Sequence, residues 1–293
     1  MTLRDMLLAV AIATVWGISF VAIRLGVDEV APLLLTALRY LVAAIPAVFF
    51  IKRPNVDWRL LVGYGLAIGV GQFGILFVAV KLGMPAGLGS LVVQLQVFFT
   101  IFLAFLFFGE KPGPARILGA LIAFGGIAVI AIERMEGAAL VPLLLTIVAA
   151  VSWGFGNTAS KKAGRIEAMP FIVWSSLVPP IPLLLASFVF EGSDAIEQAL
   201  HHITWRGIGA IAFMSYAATL FGFGMWAWLV SRYPANVIAP FALLVPVAGI
   251  ASAALLLGER ISGIEIAGSA LVFAGLLLNV FGPRLLARPG SAA

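Results

Sequence analysis

The 293-residue chain has no cysteine and only two histidines, which removes disulfides and thiolate chemistry. His201 and His202 stand side by side near Glu197, a spacing that makes a poor metal site. Charge is scarce at 11%, and no Asp or Glu falls near the middle of any long apolar run. That leaves no buried carboxylate for a proton-coupled exporter of cations or for membrane-embedded hydrolysis. Gly69, Gly71 and Gly74 imitate the spacing of a dinucleotide loop, but they lie inside an apolar run with no strand before them. No nucleophile, metal or phosphate-binding motif survives inspection, so no cofactor and no enzymatic activity are expected.

What remains is 62% hydrophobic, with a mean hydropathy of +1.13. A membrane span needs about 20 mostly apolar residues. Ten such stretches can be cut, approximately 4–24, 32–51, 60–80, 85–108, 115–132, 140–160, 169–190, 206–229, 235–257 and 263–282. The fold class is therefore an all-α integral membrane protein of ten transmembrane helices. The longest connector, Glu191 to Trp205, leaves no room for a soluble domain. Uninterrupted apolar runs without two-residue alternation exclude a barrel. Arg4 before an apolar run imitates a secretory signal, but the run continues past Trp16 without a cleavage site and reads as an uncleaved first helix.

Counted by alternate connectors, one side collects twelve cations: Arg4, Lys52, Arg53, Arg59, Lys111, Arg116, Lys161, Lys162, Arg165, Arg232, Arg284 and Arg288. The other collects five: Arg24, Lys81, Arg134, Arg206 and Arg260. The positive-inside rule puts both termini in the cytoplasm, in a multi-pass protein of the cytoplasmic (inner) membrane. The net charge of +5 reflects this bias and implies no nucleic-acid partner. Lipid is the expected surround, and the unit is read as a monomer. Arg24, Arg39 and Lys81 lie toward outer helix ends and are expected to snorkel to headgroups, with Arg39 alone deep enough to pair with a carboxylate or a helix C-terminus.

The two halves repeat. Pro85-Ala86 matches Pro234-Ala235, Gly109-Glu110-Lys111 matches Gly258-Glu259-Arg260, and Gly119, Phe124 and Gly126 match Gly268, Phe273 and Gly275, all at an offset of 149. Trp16-Gly17 matches Trp153-Gly154 at 137, and Pro32 matches Pro170 at 138. Five spans per half make matched helices cross in opposite directions. The expectation is two inverted five-helix repeats, 1–136 and 137–293, around a central cavity, an arrangement concentrated among transporters.

Polar groups at bilayer depth nominate the pathway. Trp16 and Ser19 share one face of the first helix, and Trp153 and Asn157 share one face of its mate; these faces are expected to meet across the cavity. Gln72, Gln94 and Tyr216 join them as substrate-binding candidates, with Phe77 and Phe98 as apolar wall. Gln94 and Gln96 point away from one another, and Gln94 is assigned to substrate, Gln96 to helix packing. For any one of these residues interhelical glue weighs equally. Gly65 and Gly69, four apart, would permit close helix approach. Pro85, Pro234, Pro240 and Pro246 are the hinge candidates.

WGISFVAIRLG from Trp16, TALRYLVAAIP from Thr36, GMPAGLGSLVVQLQVFFTIFLAFLFFGEK from Gly83, SWGFGNTASKK from Ser152 and APFALLVPVAGIASAALLLGER from Ala239 together span nearly the whole chain. In these segments the chain resembles the EamA family of the drug/metabolite transporter superfamily. The resemblance implies a ten-helix exporter, and within the family it is similar to exporters of cysteine and O-acetylserine and of aromatic amino acids. Many members carry a proline midway along the fourth helix, as Pro246 does in the ninth; here that position is Val97, so the halves are expected to bend differently. Amides, hydroxyls and aromatic faces without a countercharge suit zwitterionic solutes. The expected substrates are therefore amino acids and related small metabolites, exported by alternating access. A drug or other metabolite permease is the alternative, and a non-transporting membrane scaffold is the reading from a different class.

Overall fold

The structure, a computed structural model, describes residues 1–135, 140–164, 167–233 and 235–285. All the regular structure among them is helical. Local chemistry sets the helix ends. Thr2 accepts the Asp5 amide to open α1 (Leu3–Glu29), and Pro32 opens α2 (Pro32–Val48), where its missing N–H costs nothing. Asp57 caps α3 (Trp58–Lys81) by accepting from the Arg59 amide. Pro85 precedes α4 (Ala86–Phe108), which stops at Gly109 with φ of 69°. Next come α5 (Pro114–Met135), α6 (Leu140–Ala163) and α7 (Ala168–Phe190). The long connector then folds into a short helix, Ser193–His202, where the sequence suggested only a loop. Three more follow: α8 (Trp205–Arg232), α9 in two pieces (Ala235–Ala242 and Leu244–Leu257) and α10 (Gly263–Leu285).

Among the described residues nine helices are long and apolar enough to cross a membrane, and α2, at 17 residues, is a shorter apolar helix. Large apolar side chains such as Phe102, Leu106, Leu185, Phe188 and Leu255 are exposed, as a lipid-bathed bundle requires.

Among the described residues regular winding fails at mid-helix in five places. α3 has a π-helical stretch at Leu66–Gly74 and α8 one at Phe213–Phe223. α4 tightens to 3₁₀ at Val93–Leu95, α9 breaks at Leu243, and α7 breaks at Ser176–Pro179 before Pro180. Bending was expected to differ between α4 and α9, yet Gln94 and Leu243 occupy equivalent places at the offset of 149. The reason is a shared bond. Pro246 has no N–H for the Ala242 carbonyl four residues back, and Gln94 Nε2 donates to that carbonyl at 3.3 Å.

The most extensive helix pairing is α5 against α10. It rests on reciprocal glycines: a Cβ on Gly119 would lie 2.7 Å from the Gly275 carbonyl oxygen, and one on Gly126 would lie 2.5 Å from that of Gly268. Only glycine lets backbones come this close. Gly65 plays the same part in α3, where a Cβ would lie 2.6 Å from the Ser175 carbonyl oxygen of α7.

Helices α4 and α9 cross at Gln94 and Ala242. On one side of the crossing, Ala86–Val92 packs along Leu244–Leu257. On the other side they part: Gln96–Phe108 packs on α6, and Ala235–Ala242 packs on α1. The first side is called the Glu259 end and the second the Lys161 end.

Candidate functional site

At the Glu259 end, Glu259 follows α9 and reaches across to the start of α4. Its two carboxylate oxygens accept from the Ala86 amide at 2.7 Å and the Gly87 amide at 3.0 Å. These are orphan donors of a helix N-terminus, where negative charge is favoured. Behind this bond, Ser90 is fully buried against Gly249. Glu110, the matched carboxylate, sits at the other end and bonds instead to Lys161 Nζ of α6.

Between α4, α5 and α6 at the Lys161 end lies a cavity of about 170 Å³, lined by Thr100, Asn157, Lys161, Glu110, Lys111 and Arg116 among others. Asn157 Nδ2 donates to Gln96 Oε1 at 2.8 Å and to Thr100 Oγ1 at 3.0 Å. The half-buried Gln96 is thus joined to Asn157, while Gln94, 6% exposed, is bonded to the α9 backbone.

The two π stretches are held by side chains from neighbouring helices. A π turn displaces carbonyls from their usual donors. Trp16 Nε1 of α1 donates to the Ala218 carbonyl of α8 at 2.9 Å, and the ring packs on Phe223 and Trp226. Ser152 Oγ of α6 donates to the Ala67 carbonyl of α3 at 2.9 Å. Ser19 is buried and donates to the Trp16 carbonyl of its own helix. Trp153 packs against the large apolar core and Trp16 against a smaller cluster around Ile12 and Leu229, so the two indoles have different neighbours.

Arg39 overturns its expected snorkelling role. It is 2% exposed in the middle of α2, facing inward. Its guanidinium lies 4.1 Å from the Phe73 ring centroid, 5.2 Å from that of Tyr40 and 5.7 Å from that of Phe77. Nη2 donates to Thr219 Oγ1 of α8 at 2.9 Å, and Ser215 Oγ donates to the Arg39 carbonyl at 2.8 Å. Nε has no hydrogen-bond partner. An arginine at bilayer depth costs about 2.5–3.5 kcal/mol on insertion scales, and each aromatic face returns about 0.5–2 kcal/mol. The cage therefore offsets the charge without neutralising it. Arg24 and Lys81 are also tied down: Arg24 Nη2 pairs with Asp28 at 3.3 Å, and Lys81 Nζ donates to the Val27 carbonyl at 2.6 Å.

Of the remaining candidates, Gln72 lies on the α3 π stretch, 2% exposed, with Oε1 unpartnered. Phe77 is fully buried in the Arg39 cage, and Phe98 faces Phe124 of α5 at 6.2 Å. Tyr216 is 46% exposed, off the buried face of α8 formed by Ser215, Ala218 and Thr219. Pro85 adjoins the α4 start, Pro240 lies within Ala235–Ala242 and Pro246 within Leu244–Leu257; Pro234 is outside the described residues. Sequence reasoning assigned Gln96 to helix packing, and its bond to Asn157 joins α4 to α6; Thr100, which lines the cavity, was not singled out. The signal for Thr100 was its place four residues after Gln96, on the same helical face.

A solved crystal structure shares this fold, with a TM-score of 0.67 and 21% identity, over 98% of this chain and 99% of that one. Two curated relatives, each named a probable amino-acid metabolite efflux pump, come from Salmonella typhimurium, 44% identical, and Escherichia coli, 42% identical; each match covers 97% of both chains. The EamA-like transporter family matches residues 3–132 and again 140–281. With all but the last few residues of the helical bundle inside those two matches, this membrane chain belongs to the EamA-like transporter family.

Proposed function

We propose that the chain exports amino acids and related small zwitterionic metabolites from the cytoplasm by alternating access. The observation that carries this reading is the 44% identity, end to end, to a probable amino-acid metabolite efflux pump. The interior chemistry agrees: amides, hydroxyls, aromatic faces and one buried guanidinium, with no carboxylate of the described residues in the middle of a membrane-length helix.

In this reading ten helices form two inverted repeats, 1–136 and 137–293, as a monomeric unit in the inner membrane with both termini cytoplasmic. Features recurring at matched positions support it: paired π stretches, paired mid-helix breaks, and left-handed Gly109 and Gly258 closing α4 and α9. The Glu259 end then faces outward and the Lys161 end faces the cytoplasm. The conformation is closed outward by Glu259 on α4 and parted inward, with Glu110 held on Lys161. Transport exchanges the two: Glu259 lets go of α4 while Glu110 takes the start of α9. Because each change mirrors the other, the states stay close in free energy.

Counterflow of radiolabelled neutral amino acids in proteoliposomes of the purified protein tests the function. Exchange that saturates with internal amino acid is the expected result. Transport of organic cations with no amino-acid exchange would refute it.

A further inference from the structure

Resting on that exporter reading, we propose that Arg39 is the substrate-carboxylate site. Arg39 is, among the described residues, the cation buried in mid-helix at the centre of the bundle, and no carboxylate contacts it. Among the described residues the ion pairs are Arg24–Asp28 and Lys161–Glu110, and Arg39 takes part in neither. Its guanidinium donates, among the described residues, to an uncharged hydroxyl, Thr219 Oγ1, and Nε is left without a partner. A guanidinium edge with unused N–H groups is the geometry that grips a carboxylate through two parallel bonds. The aromatic cage of Tyr40, Phe73 and Phe77 holds that fork in one orientation, so little is lost in ordering it on binding.

The surroundings are built to open. Tyr40 and Thr219 also line a cavity of about 10 Å³, room for roughly one water. Its other walls come from the α3 and α8 π stretches and from Ser175, Ser176 and Pro179 at the α7 break. Irregular backbone at membrane depth is tolerated where it lines a cavity. Here three such segments line the cavity beside Thr219 and Tyr40, the two residues it shares with the surroundings of Arg39. A carboxylate entering from the cytoplasm displaces Thr219 and completes the ion pair, and the α7 break and the π turns supply the adjustable wall. Solutes with a free carboxylate are therefore recognised, and their esters are not.

The experiment is counterflow in proteoliposomes with a labelled neutral amino acid, competed by the same unlabelled amino acid and by its methyl ester. Wild type should prefer the acid by at least about 30-fold, as expected when a buried charged donor is left unpaired. Arg39→Gln should lose acid exchange by a similar factor and compete equally with acid and ester. Arg39→Lys should keep the preference with a higher KM. Thr219→Val removes the internal acceptor and should lower the KM for the acid about three- to tenfold. Arg39→Gln with an unchanged KM and an intact acid preference overturns the proposal. If Arg39→Gln does not fold, Thr219→Val decides: an unchanged or raised KM overturns the proposal just as firmly. Wild type that exchanges no amino acid at all would be failure of the exporter reading, seen before any variant is made.

Discussion

Replacing Glu259 with Gln perturbs the closure at its most local point. The carboxylate makes two charge-assisted bonds to the first amides of α4, at 2.7 and 3.0 Å. A hydrogen bond to a charged group contributes about 1.5–3 kcal/mol, and Glu259 is half-buried, so the lower value applies to each. Gln keeps one neutral bond of about 1 kcal/mol and loses the other, leaving a deficit near 2 kcal/mol. At about 1.4 kcal/mol per decade, that raises the population open at this end by roughly 30-fold. The chain has no cysteine, so Ser90→Cys supplies a single thiol buried between α4 and α9. Maleimide labelling of that thiol in membranes should accelerate by the same factor in the Glu259→Gln background. Glu110→Gln, acting on the opposite end, should not accelerate it. A change below about threefold with Glu259→Gln, well short of what two lost charge-assisted bonds predict, would refute the reasoning.

Gly126→Leu forces a side chain into the Gly268 carbonyl and should destabilise the bundle by about 1–3 kcal/mol or more, whereas Gly125→Leu points into open space and should not; detergent melts of the two variants check this. Trp16→Phe keeps the stacking surface but orphans the Ala218 carbonyl, costing about 1–3 kcal/mol; a melting temperature equal to wild type would refute it. Asn157→Leu removes both bonds to Gln96 and Thr100 beside the cavity at the Lys161 end, and the expected result is a higher KM in counterflow with maximal exchange less affected.

Two helix starts were legible because proline acts locally: Pro32 and Pro85 stand at the openings of α2 and α4, whereas the caps Thr2 and Asp57 were not picked out. A local signal was also missed at Ser262 and Glu265, the capping box that opens α10. The Pro179-Pro180 pair was in plain view at the α7 break too. The burial of Arg39 was not legible, since distance from a helix end says nothing of which neighbours surround it. The π stretches escaped for a similar reason. The three glycines of LAIGVGQFG are common in membrane helices and do not by themselves signal a wider turn, FMSYAATLFGF carries a single glycine, and the bonds that hold the wider turns come from α1 and α6. Gln94 and Gln96 point to different helices, as their spacing requires: Gln94 to the Ala242 carbonyl left bare by Pro246, and Gln96 to Asn157 of α6.

The glycine seam of α5 and α10 joins the last helix of one half to the last helix of the other, backbone against backbone. A single half expressed alone would expose its own strip of glycines, and the strip that normally covers it has the same spacing reversed. Such a fragment has a ready mate in a second copy of itself, oriented oppositely. Two identical five-helix chains zipped along this groove would reproduce the seam of the full-length chain.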